Sequence, residues 1–169
     1  MKRVAIGVDV GGTNTAIGVV DPEGNVMVKD NISTPSHGDI ERYISDLADA
    51  IKELIKSVKL LNKDLEILGI GIGAPNGNYY SGTIEYAPNL SFKGVVHFVK
   101  LLRTHFPDMS ALALTNDANA AAIGEMIYGG AKDMQNFVLF TLGTGVGSGL
   151  VVNGDLVYGH DGFAGECGH

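Results

Sequence analysis

Apolar side chains at Ile40, Tyr43, Ile44, Leu47, Ile51, Leu54, Ile55 and Val58 recur at helical spacing. They fall on one stripe and predict an amphipathic helix over residues 39–60, with Asp39 as its N-cap. Before it, residues 4–9 and 14–20 read as short strands joined by Gly11-Gly12-Thr13. Asp21-Pro22-Glu23-Gly24 is then a turn into a third strand near residues 26–32, which completes an antiparallel meander. Beyond the helix, residues 65–72 form a buried strand, 95–106 a second amphipathic helix and 111–115 another strand. Residues 116–128 form a third helix, stopped by Gly129-Gly130. A meander followed by strand–helix alternation predicts an α/β fold, a mixed sheet flanked by helices.

The opening pattern returns near the end of the chain. The run from Ile6 to Asp21 can be laid over the run from Phe140 to Asn153: strand, Gly/Thr hairpin, second strand ending in Ile-Gly-Val-Val in the first and Gly-Leu-Val-Val in the second, turn. Self-similarity of this kind predicts two related domains, here 1–128 complete and 129–169 the beginning of a second copy whose helices do not follow. Two glycine-rich hairpins within one sandwich are the alternative, since such turns are common. In the two-domain reading the 169-residue chain is expected to be inactive by itself.

Composition narrows the class of partner. A chain 45% hydrophobic and 18% charged is rich enough to pack a core. Its net charge of -7, with no basic run, disfavours a nucleic-acid reader. No apolar stretch reaches the roughly 18 residues needed to span a bilayer. The first strand begins without a signal peptide, and the single cysteine, Cys167, has no disulfide partner; both point to the cytoplasm. Cys167 is expected to be a small buried residue. The 24 glycines cluster at 7–18, 69–77 and 143–149, as expected of backbone that approaches something closely.

Four segments carry candidate chemistry. In Asp9-Val10-Gly11-Gly12-Thr13-Asn14, a carboxylate ends a strand and glycines turn backbone N–H groups toward a concavity suited to phosphate oxygens. Asp9 suits a hydrated Mg²⁺, although a plain hairpin explains the same glycines. Leu142-Gly143-Thr144-Gly145-Val146-Gly147-Ser148-Gly149 has alternating glycines on one side of extended chain. It is neither a dinucleotide fingerprint nor a P-loop, and two such loops on separate hairpins imply a nucleotide clamped between domains. Asp117, in Thr115-Asn116-Asp117-Ala118-Asn119, falls at a helix N-terminus, where it serves either as an ionised functional carboxylate or as an Asx cap. Glu166 and His169 stand three residues apart in a glycine-bounded segment, suited to sugar hydroxyls, to a metal, or to an ordinary polar loop.

Asp9-Val-Gly-Gly-Thr-Asn, Asn116-Asp-Ala-Asn-Ala-Ala-Ala-Ile-Gly-Glu, Leu142-Gly-Thr-Gly-Val-Gly-Ser-Gly and Gly165-Glu-Cys-Gly-His stand in the order and spacing of the ROK family of repressors, open-reading-frame kinases and sugar kinases. The chain resembles that family over essentially its whole length, and its bacterial glucokinases most. The resemblance implies the actin/hexokinase-like (ribonuclease H-like) fold. It implies that Asp9, Gly11, Gly12, Thr13 and Asn14, with Gly143, Thr144 and Gly145, hold the phosphates of ATP and, through water on Asp9, Mg²⁺. By the same resemblance Asp117 is the general base, and Asn89, Asn116, Asp117, Glu166 and His169 bind sugar hydroxyls. It further implies that His169 ligates a structural Zn²⁺ where a downstream three-cysteine cluster completes the site. Ala74-Pro75-Asn76-Gly77 stands where the family often has Ala-Pro-Gly.

The implied activity is ATP-dependent phosphorylation of a hexose, glucose to glucose 6-phosphate, by a cytoplasmic homodimer. N-acetylmannosamine or fructose are the alternative substrates, and a non-catalytic sugar sensor the alternative role. The family's repressors carry a DNA-binding domain ahead of the first strand, where this chain begins, so a kinase is expected.

Overall fold

The structure, a computed structural model, describes residues 2–35, 38–143 and 145–168. The chain opens with the expected meander: β1 (Lys2–Val10), β2 (Asn14–Val20) and β3 (Val26–Ser33). Asp39 then accepts a hydrogen bond from the Glu41 amide at 2.9 Å and caps α1 (Ile40–Leu61). That helix buries Tyr43, Ile44, Leu47, Ala48, Ile51, Leu54 and Val58, the stripe that the periodicity marks out. β4 (Leu65–Ala74) follows, then three very short strands, β5 (Gly77–Asn78), β6 (Thr83–Glu85) and β7 (Val95–Val96). α2 (Phe98–Arg103), β8 (Ala111–Asn116), α3 (Asp117–Tyr128), β9 (Phe137–Leu142), β10 (Val146–Val152) and β11 (Asp155–Leu156) complete the order.

The principal sheet has strand order β3-β2-β1-β4-β8, with β1, β4 and β8 parallel and the meander antiparallel. Its two faces differ in kind. Val4, Ile6, Val8, Ile17, Val19, Ile70, Ile72 and Leu114 are buried in the core with α1. On the opposite face the register lines up Gly18, Gly7, Gly71 and Ala113 across four strands, a floor almost without side chains. A one-residue slip would exchange these faces, so the alternation fixes the register.

The predicted helix over 95–106 is shorter than expected. Val95 and Val96 instead pair with Glu85 and Ile84 of β6, after a turn at Gly94 (φ 75°). The other end tightens into three-residue turns, with the amides of Thr104, His105 and Phe106 bonded to the carbonyls of Leu101, Leu102 and Arg103. Pro107 disfavours helical geometry at the residue before it, which ends the segment there. The small sheet β5-β6-β7 is a separate outcrop beside β8.

β9, β10 and β11 form a second antiparallel sheet, the repeat of the opening hairpin. Its outer face is apolar and open: Val138, Phe140 and Leu142 are exposed, Leu142 at 83%. α3 lies between the two sheets. A Cβ built on Gly73 of β4 would stand 3.4 Å from Ala120, while one on Gly149 of β10 would stand 2.6 Å from Ala122. Close approach on both flanks is why the first two turns of this helix carry alanine at 118, 120, 121 and 122. Among the described residues no helix is long and apolar enough to cross a membrane.

Candidate functional site

Asp9, Gly73 and Thr115 stand side by side at the carboxyl ends of the three parallel strands. Asp117 follows two residues after Thr115, as the first residue of α3, and its Cα lies 3.6 Å from where a Cβ on Gly73 would project. The two carboxylates therefore flank one glycine at the edge of the sheet where ligands of open α/β folds collect. Partial burial raises the Asp9 pKa above the usual carboxylate range, and the Asp117 charge raises it further.

Asp117 is not the helix cap. That task belongs to Asn116, whose Oδ1 accepts from the amides of Ala118 (2.8 Å) and Asn119 (3.4 Å). Asn116 Nδ2 in turn donates to Glu166 Oε1 at 2.7 Å, which draws the late glycine-bounded segment onto the start of α3. The Ala118 amide is shared with Asp117 Oδ1, also at 2.8 Å. One Asp117 oxygen is thus turned back to its helix, and the residue is exposed at the head of α3.

The first glycine loop meets the sugar-side candidate directly. A Cβ on Gly12 would fall 2.7 Å from the Asn89 carbonyl oxygen, so the glycine is required where two backbones touch. Thr13 and Asn14 are exposed beside it, and the Gly11 amide closes the turn on the Asn14 carbonyl at 3.0 Å. In the second loop the glycines divide by role. Gly143 and Gly145 face open space, with the Gly143 amide on the Gly145 carbonyl at 3.0 Å. Gly147 and Gly149 face Ala118 and Ala122, and serve packing rather than ligand approach. Because Gly147 meets the first turn of α3 and Gly149 the next, Gly145 lies toward the Asp117 end. Thr144 and His169 lie outside the described residues.

Cys167 is exposed, contrary to the expectation of burial. Its amide bonds the Gly165 carbonyl at 2.9 Å, a three-residue turn. Gly165 is the buried member, wedged against Ser148 and Asn119, and the turn carries Cys167 outward. Sequence reading also passed over Asn78, Tyr79 and Tyr158, which hold the 158–166 segment from the side of the small sheet; nothing in their spacing announces it. Asn119 Oδ1 is buried beneath Gly165 without a hydrogen-bond partner.

A cleft of about 970 Å³ spreads over the glycine floor of the principal sheet. It shares only Asp9 and Asp117 with the predicted site residues; Asn89, Asn116 and Glu166 do not line it. Hard carboxylate oxygens at Asp9 fit a hydrated Mg²⁺ beside phosphates. Among the described residues no three His, Cys, Asp or Glu side chains converge, and the Zn²⁺ expectation rests on His169, which lies outside them.

The sequence profile of the ROK family matches residues 5–169. A glucokinase of Streptomyces coelicolor is 37% identical over 168 residues, 98% of this chain and 49% of that protein. A glucokinase of Halalkalibacterium halodurans is 36% identical over 99% of this chain and 49% of its own. A xylose repressor of Caldicellulosiruptor bescii is 31% identical over 97% of this chain and 40% of its own. The chain thus spans about half the length of the curated relatives it matches. Among solved structures, a ROK glucokinase of Streptomyces griseus in complex with glucose and AMPPNP superposes with TM-score 0.77 at 30% identity, covering 98% of this chain and 50% of that one. A ROK hexokinase of Thermus thermophilus does so with TM-score 0.82 at 30% identity, over 98% and 52%. The expected actin/hexokinase-like fold holds.

Proposed function

The chain belongs to the ROK family, and on that premise we propose that it is the front portion of an ATP-dependent hexose kinase acting on glucose. What carries the reading is the head of α3: Asn116 caps the helix and binds Glu166, while Asp117, which shares the Ala118 amide, stands exposed beside Asp9. A carboxylate exposed at a helix N-terminus between two glycine loops suits a base for a sugar hydroxyl. The S. griseus enzyme, crystallised with glucose and AMPPNP, supports both the sugar and the nucleotide.

In this mechanism Asn89, Asn116 and Glu166 bind hexose hydroxyls and set the 6-hydroxyl toward Asp117. Asp117 accepts that proton late, as the bond to phosphorus forms. Gly11–Asn14 and the 143–145 turn offer backbone amides to phosphate oxygens, which costs nothing in net charge on an acidic chain. Asp9 would hold Mg²⁺ through water; the ion supplies neutralisation of charge on the transferring phosphoryl group. Residues 1–128 form the first lobe and 129–169 the start of the second.

The test is ADP release by the full-length protein against glucose, N-acetylmannosamine, fructose and xylose. Glucose-stimulated turnover supports the proposal. Sugar binding by calorimetry without turnover assigns a sensor instead, and turnover indifferent to sugar assigns an unrelated ATPase.

A further inference from the structure

Glu166 reaches Asn116 only because residues 158–166 are held in place from outside their own loop. At one end, the Asn78 side chain, 7% exposed, donates from Nδ2 to the Asp161 carbonyl at 2.9 Å and to Glu85 Oε1 at 3.1 Å. Its Oδ1 accepts from the Tyr80 amide at 3.0 Å, so the carboxamide is committed on both sides. Glu85 is itself fixed by Thr83 Oγ1 at 2.7 Å. Tyr80 OH donates to the Gly159 carbonyl at 2.9 Å, and Tyr79 stacks on Tyr158 with centroids 4.5 Å apart and rings 12° from parallel. Gly162, at φ 95°, passes so close that a Cβ would stand 2.5 Å from Asn78 Oδ1. At the other end, Ser148 Oγ donates to the Gly165 carbonyl at 2.5 Å. The loop closes on itself through the Ala164 amide to the Tyr158 carbonyl and the Glu166 amide to the Phe163 carbonyl, both 3.0 Å.

This is a strap between the small sheet β5-β6-β7 and the second sheet, with Glu166 at its inner end. We propose that Asn78, Tyr79 and Tyr80 are positioning residues that latch the strap and thereby set Glu166 for the hexose. The inference rests on the kinase reading above, and on Glu166 as the sugar-side carboxylate. None of the three touches the reacting atoms; their effect passes through Glu166. Loosening the latch lowers the fraction of protein with Glu166 in place, which weakens sugar binding and leaves nucleotide binding alone.

The experiment uses the full-length protein with glucose and ATP as the varied substrates. A lost aromatic stack or a lost hydrogen bond corresponds to an affinity change of about two- to tenfold, so Tyr79→Ala and Tyr80→Phe should each raise the glucose KM by that factor. KM for ATP should stay at the wild-type value. Tyr79→Phe keeps the stack and should behave as wild type, which separates the latch from a general loss of folding. Tyr80→Phe removes one exposed hydroxyl and keeps the fold even if Asn78→Ala does not. In a cycle with Glu166→Gln, Tyr79→Ala should add little, because both act at one point. Full additivity, an unchanged glucose KM in Tyr79→Ala, or equal rises in both KM values would overturn the latch while leaving the kinase reading intact. A wild-type protein without glucose-dependent turnover overturns that reading and the latch with it.

Discussion

Asp117→Asn isolates chemistry from architecture more cleanly than any other single change. The helix cap is Asn116, whose Oδ1 serves two amides, and Asn at 117 keeps an oxygen for the Ala118 amide. The fold therefore loses at most a few tenths of a kcal/mol from one exposed charge near a helix dipole, a Tm change of no more than about 2–3 °C. Loss of a general base costs about 10²–10⁴ in rate, or roughly 2.7–5.4 kcal/mol of barrier at ~1.36 kcal/mol per decade. The two quantities differ by an order of magnitude, so kcat and Tm measured on the same preparation decide between them. A coupled ADP-release assay at saturating glucose should show kcat reduced at least about a hundredfold, with the glucose KM changed far less. The variant should also shift Asp9, because the charge that helps raise Asp9 is gone. The acid limb of nucleotide binding should then move to lower pH. A kcat within about threefold of wild type, with the fold intact, would refute Asp117 as the base, since general-base loss cannot be that small.

Asp9→Asn should raise Tm at neutral pH while abolishing magnesium-dependent nucleotide binding. A carboxyl whose pKa is raised on folding destabilises when ionised and is relieved as pH falls through that raised value, so the stability gain of the variant should shrink in acid. Asp21 is the opposite case, held down to about 2 first of all by the Lys2 ammonium 2.9 Å away. Its contribution is full above the ordinary carboxylate pKa of ~4 and is lost as pH falls through about 2, so Asp21→Asn and wild type should converge there in denaturant titrations. Gly12→Ala should raise KM for glucose as well as for ATP, because its Cβ would meet the Asn89 backbone 2.7 Å away; a change confined to ATP would refute that contact. Leu47→Ala, at a position with 0% exposure on the core face of α1, should cost about 2–5 kcal/mol in chemical denaturation.

What could be read from the chain was what its periodicity marked. The stripe from Tyr43 to Val58 and the long strands came through because each has enough residues to display a period. The Asp117–Asn116 segment was visible as a helix start, but which residue caps it was not, since Asn and Asp cap equally well. β5, β6 and β7 have two or three residues each, too few for any pattern, and exist because the main sheet edge gives them something to pack on. The same holds for Asn78, whose partner Asp161 is 83 positions away in sequence. Glycine misled in one particular way. A run of alternating glycines reads as a ligand loop, yet Gly147 and Gly149 are there to admit the alanines of α3.

That distinction bears on where a polar ligand can sit. The 970 Å³ cleft lies over the Gly18–Gly7–Gly71–Ala113 row, where the backbone amides and carbonyls are already spent on the strand ladder. A hexose or a phosphate laid on that floor would have few groups to bond, and each buried polar atom left unmatched costs about 1–3 kcal/mol. Polar groups gather instead where the strands stop: the Gly11–Gly12 turn, Gly143 and Gly145, and the carboxylates of Asp9 and Asp117. Parallel β1, β4 and β8 bring three strand ends to one edge, and α3 begins there with its dipole aimed outward. The small side chains of α3 let both sheets approach that point, and a bulkier helix would push the two sheets apart. Cleft volume and the proposed catalytic position therefore part company in this fold, and on the kinase reading the polar rim is where the chemistry belongs.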